Sequence, residues 1–103
     1  MAEKNFFELF AEEAPEISKT FGELVGNIKA TSGLDEKTFE LVFIGIRAAD
    51  CSVNSVAAHT GFAKKAGATR EEVRGAILVS MLANGVDGVS ACLAAALEAY
   101  DNA

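Results

Sequence analysis

Apolar residues recur at three- and four-residue spacing between short polar breaks, a pattern that predicts six helices and no strand. The first covers residues 4–13 and carries Phe6, Phe7, Leu9 and Phe10. The second opens at Pro15, whose missing N–H is not needed in a first turn. It runs to about Lys29, with Ile17, Phe21, Leu24, Val25 and Ile28 on one face, and Thr31-Ser32-Gly33 ends it. Asp35 reads as the N-cap of the third helix, from 36 to about 49, with Leu34 and Phe39 spaced to staple its entry. That helix is apolar nearly all round, which predicts burial on most of its sides. After a break near Asp50, a fourth helix runs from about Ser52, its cap, to Ala66 and stops at Gly67. Thr69-Arg70-Glu71-Glu72 is a capping box. It opens a fifth helix through Val73, Ile77 and Met81 that stops at Asn84-Gly85. Asp87 is read as the cap of an Ala-rich sixth helix ending near Tyr100. The expected fold is therefore an all-α antiparallel bundle, one domain over residues 1–103, with short connections.

Composition adds an assembly to this picture. Half of the 103 residues are hydrophobic, only 8% are aromatic, and mean hydropathy is +0.23. A small chain has too little interior for that much apolar surface, which points to a homo-oligomer, although alanine inside helices also raises the figure. The net charge is −6, and the nine basic residues are scattered apart from Lys64-Lys65, so no stripe exists to neutralise nucleic-acid phosphates. No run reaches the ~18 uncharged apolar residues of a bilayer span, and the N-terminal stretch lacks the apolar core of a secretion signal. Cys51 and Cys92 make neither a disulfide framework nor a zinc site, so a reducing cytoplasm is the expected setting. With one histidine, no clustered ligands and no glycine-rich phosphate loop, neither a metal nor a cofactor is expected.

Two residues stand out chemically. Glu40 lies in the most apolar helix, where a carboxylate costs several kcal/mol unless it is paired or protonated. Arg47, two turns on, shares its face but is too far along the axis for a local pair. Either another element supplies a partner, or Glu40 faces a polar pocket, or Glu40 and Arg47 form ion pairs at a subunit interface. His59 is the lone histidine, and Ser52, Ser55 and His59 form one polar line on a Val/Ala helix. Such a histidine is often only hydrogen-bonded structure. Beside a buried glutamate it is a proton shuttle, because imidazole titrates near neutrality. Ser55 as a nucleophile has no elbow motif behind it. Cys51 precedes a helix start, where a thiol can become reactive, whereas Cys92 in the last helix reads as core.

The segments Leu34-Asp35-Glu36-Lys37-Thr38-Phe39-Glu40-Leu41, Ala48-Ala49-Asp50-Cys51-Ser52-Val53-Asn54-Ser55, Ala58-His59-Thr60 and Lys65-Ala66-Gly67-Ala68-Thr69-Arg70-Glu71-Glu72-Val73 resemble the carboxymuconolactone decarboxylase domain shared with alkylhydroperoxidase D. The resemblance is strongest over residues 20–100. It implies an alkylhydroperoxidase D-like helical bundle that assembles as trimers to hexamers. Members with peroxiredoxin activity carry Glu, Cys-x-x-Cys and a His four residues past the second Cys. Their Glu and His form a proton relay that activates a thiol pair. The Glu matches Glu40, the His matches His59, and the thiol positions fall on Ser52 and Ser55. Cys51 stands one residue too early and about 100° away on an ideal helix. Serine forms no disulfide, so the dithiol mechanism is not expected. The decarboxylase branch acts on a carboxylated lactone without a Cys pair, which implies Glu40 and His59 as proton carriers. Arg47 is added, from its charge and face, as a candidate carboxylate clamp.

Three functional expectations follow. The first is an acid–base, lyase-like enzyme on a small carboxylated or lactone-like molecule. The second is an antioxidant oxidoreductase using Cys51 alone, resolved by another subunit or an external thiol. The third is a non-catalytic oligomeric binding protein that kept the fold.

Overall fold

The computed structural model describes residues 5–103 and contains six helices: α1 (Phe6–Glu13), α2 (Pro15–Thr31), α3 (Glu36–Ala49), α4 (Val53–Lys65), α5 (Arg70–Asn84) and α6 (Asp87–Asn102). No strand occurs among the described residues. The expected start of the first helix at residue 4 lies outside them. The helices fall into two compact units, the first ending at Gly33 and the second spanning Leu34–Ala103.

The first unit is a helical hairpin. Asn5 caps α1, its side chain accepting from Glu8 N–H at 2.9 Å. Pro15 occupies the first turn of α2, where no N–H is required. Phe10 stacks on Phe6 and meets Phe21 of α2 edge-on. Neither helix carries a fully buried residue.

The second unit is a four-helix bundle. Its core is built of small and β-branched residues: Ile44 and Ala48 on α3, Val56 and Ala63 on α4, Val73 and Ile77 on α5, Cys92 and Ala96 on α6, and Ala68 between α4 and α5. Such side chains let helices approach closely. At Gly88 the approach is limiting, because a Cβ there would overlap the Ala48 carbonyl. Two caps match the sequence pattern. Asp35 accepts from Thr38 N–H, and Thr69 and Glu72 bond reciprocally as a full capping box. At the far end, Tyr100 donates to the Ala68 carbonyl. Lys64 donates to the carbonyls of Tyr100 and Ala103, and Arg70 grips Asp101 with two bonds.

Three sequence expectations need correction. The sixth helix is capped at Val86, not Asp87; Asp87 lies in the first turn and makes no capping bond. Its carboxylate still complements the positive end of the helix from there. Ser52 occupies the cap position of α4, but its side chain accepts no capping bond. Its N–H instead closes the end of α3 on the Arg47 carbonyl. The third helix is not buried on most sides. It buries one stripe, Glu40, Ile44 and Ala48, while Val42 and Ile46 on the opposite face remain exposed, since no other helix of the unit covers them.

Candidate functional site

The turn from α3 to α4 decides which side chains meet. Cys51 N–H donates to the Ala48 carbonyl and Ser52 N–H to the Arg47 carbonyl, with Cys51 left-handed at φ +59. This is a Schellman closure, the motif that Gly67 repeats at the end of α4. It folds α4 back along α3, so that residues one to three turns from the corner on each helix face one another.

On α3 that position is Glu40, only 2% exposed. On α4 it is His59. Glu40 Oε2 lies 2.6 Å from His59 Nδ1, a short contact of the charge-assisted kind. Burial of the carboxylate is offset by this partner, which the sequence required without locating. The His59 side chain is 22% exposed. Among the described residues its Nε2 has no hydrogen-bond partner, and no side-chain nitrogen or oxygen is buried without one, so Nε2 reaches the surface. The imidazole thus has one nitrogen on an interior carboxylate and the other facing outward.

Two aromatic rings frame it. Phe43 stacks on the imidazole with centroids 3.8 Å apart and planes inclined by 24°. Phe62 meets it edge-on at 5.2 Å and is itself 55% exposed. Neither was singled out from the sequence as part of a site. The signal was there in the spacing, since Phe43 follows Glu40 by three residues and Phe62 follows His59 by three, so each shares the face of the residue it supports.

Among the described residues, none of the other candidates bonds to His59, and Ser55 lies nearest to it in the helix. Arg47 donates from Nη1 to Asp50 Oδ2 at 3.1 Å, an exposed pair at the end of its own helix, rather than bonding Glu40. Ser55 lies one turn before His59 on α4 and is partly buried. Ser52 falls just outside the helix with φ −87 and ψ 80, so the polar line on α4 itself consists of Ser55 and His59. Cys51 is exposed and Cys92 is fully buried; both are free thiols. Burial pushes the Cys92 thiol upward, with nearby Cys51 adding to the effect, so it stays protonated and is a poor nucleophile. No cluster of three metal-binding side chains occurs among the described residues.

This chemistry can move a proton. With Nδ1–H donated to Glu40, the imidazole presents Nε2 outward, where it can accept a proton. Neither the curated proteins nor the solved structures gave a match to the chain. The family model for the carboxymuconolactone decarboxylase family matches residues 15–98, a span that holds Glu40, Ser52, Ser55 and His59, and the chain belongs to that family.

Proposed function

We propose that the protein is an acid–base enzyme of the lyase type acting on a small carboxylated or lactone-like molecule, with His59 as the proton carrier and Glu40 as its buried counter-charge. The observation that carries this reading is the 2.6 Å contact between Glu40 Oε2 and His59 Nδ1, with Nε2 turned outward. In a decarboxylation the carbon–carboxylate bond breaks and its electron pair stays on the substrate. The carboxylate leaves as CO2, and His59, having taken a proton from solvent at Nε2, delivers it to that carbon while Glu40 holds Nδ1. Arg47 would join as a carboxylate clamp only by releasing Asp50. Family membership supports the chemistry, and serine at both family thiol positions argues against a dithiol peroxidase.

The test is turnover of a panel of carboxylated lactones and related small acids by the wild type, Glu40→Gln and His59→Gln, each checked for intact helicity. Wild-type turnover and a loss of about 100-fold or more in both variants are expected. A folded wild type inactive on the whole panel overturns the reading. Hydroperoxide consumption that Cys51→Ser abolishes would replace it with single-thiol chemistry. Binding without turnover would leave a non-catalytic family member.

We further propose that the chain works as a homo-oligomer, a trimer or hexamer, in the cytoplasm. Apolar side chains left exposed on α3 and α5 and two free thiols support this. Among the described residues no helix is long and apolar enough to cross a membrane.

A further inference from the structure

We propose that Phe43 is a positioning residue for His59, whose stacked ring fixes the imidazole plane so that Nδ1 stays on Glu40 and Nε2 stays outward. This rests on the reading of His59 as the proton carrier. The hydrogen bond to Glu40 holds one ring atom. The torsion that turns an imidazole is broad and nearly two-fold, so a ring held at one corner still swings or flips. A flip would present a C–H to the buried carboxylate and break the Nδ1 contact.

Phe43 removes that freedom. Its ring lies against the imidazole face at 3.8 Å between centroids and only 24° from parallel, so a swing out of plane meets carbon. Phe43 comes from α3 one turn after Glu40, so a single rigid helix supplies both the acceptor and the plane. Phe62 closes on the ring from α4 at 87°.

His59 is the only histidine, so its two ring nitrogens give one unambiguous set of NMR signals. The experiment records long-range proton–nitrogen spectra of the wild type, Phe43→Leu and Phe43→Tyr at a pH where the ring is neutral. Kinetics accompany them on any substrate found in the panel. The wild type and Phe43→Tyr should show a single tautomer, with a protonated Nδ1 and a bare Nε2. Phe43→Leu should show the two nitrogens averaged toward each other, and a kcat lower by about tenfold at nearly unchanged KM. If Phe43→Leu does not fold, Phe43→Met, apolar and flexible, takes its place with the same expectation. Wild-type nitrogen shifts in the folded Leu or Met variant overturn the proposal, as does averaging in Phe43→Tyr equal to that in Leu. Two failures remain distinguishable. A wild type bearing its proton on Nε2 removes both this proposal and the proton-carrier reading. Predicted shifts without turnover on the panel leave the positioning intact and remove only the proposed reaction.

Discussion

Cys51 holds a backbone conformation, φ +59, that glycine ordinarily takes, and it does so where α3 must end and α4 begin. A Cβ in the left-handed region costs about 1–2 kcal/mol. The cost is borne because the Schellman bonds from Cys51 and Ser52 close the helix and bring Glu40 opposite His59. Replacing Cys51 by glycine relieves that strain but adds freedom to the unfolded chain. The expected net effect in urea unfolding is a gain of up to about 1 kcal/mol, while Cys51→Val, β-branched and worse in this region, should lose stability. Both variants remove the thiol, so equal shifts in the two would sink the backbone explanation. In the sequence Cys51 stands out for its sulfur and not for its backbone, because a helix stop is legible when the residue is glycine, as at Gly67, and hidden when it is not. Glu40 was the opposite case. A carboxylate in an apolar helix announces that it needs a partner, and the lone histidine was a short step away. The orienting role of Phe43 was hidden because a phenylalanine in an apolar helix fits the core equally well.

At the scale of helices, capping was readable where the side chain bonds within its own first turn, and not at Ser52 and Asp87, whose residue types suit a cap but whose side chains make no capping bond. Asp35 and the Thr69–Glu72 box each act within four residues, and both occur as the pattern predicted. The Asp35, Glu72 and Asp101 carboxyls are all held below the ordinary carboxylate range: by the Thr38 backbone bond, by the Thr69 backbone bond and Lys37, and by the Arg70 guanidinium. Groups depressed in the folded state stabilise it while ionised. Their contribution should be complete above about pH 5.5 and lost as pH falls through the lowered values. Urea midpoints should therefore drop below pH 4, and more shallowly in a Glu72→Gln, Asp101→Asn double variant; an identical acid slope would exclude these contacts as the cause. Packing between helices was not local and was not read. Gly88 sits on the Ala48 carbonyl, and Gly88→Ala should cost about 2–3 kcal/mol or displace the start of α6. Gly75→Ala, in a helix with open space at its Cα, should instead stabilise by about 0.5–1 kcal/mol. Chemical denaturation of the pair checks the account, and it fails if both glycines respond alike.

For the whole molecule, the hydrophobic excess seen in the composition reappears as exposed side chains. The four-helix unit closes its core largely with alanine, valine and isoleucine, so its larger apolar residues are left outside. Val42 and Ile46 on α3 and Leu78, Val79 and Leu82 on α5 all face outward, and Leu82 is 90% exposed. Scattered exposed leucines are ordinary, but five large apolar residues on two adjoining helices of so small a unit form a surface that association would cover. The near-continuous apolar character of α3 was thus legible in the sequence. That its outer face stays exposed in the single chain was not, because the pattern records that a surface is apolar and not whether another helix meets it. Light scattering on the purified wild type should give three or six times the 10.8 kDa chain mass. Leu82→Glu places a charge where association would bury it, and should shift the mass toward the monomer at low micromolar concentration while leaving the helical spectrum unchanged. A wild type that runs as a monomer removes the assembly. A Leu82→Glu variant that keeps the wild-type mass leaves the assembly standing but moves its interface away from the end of α5.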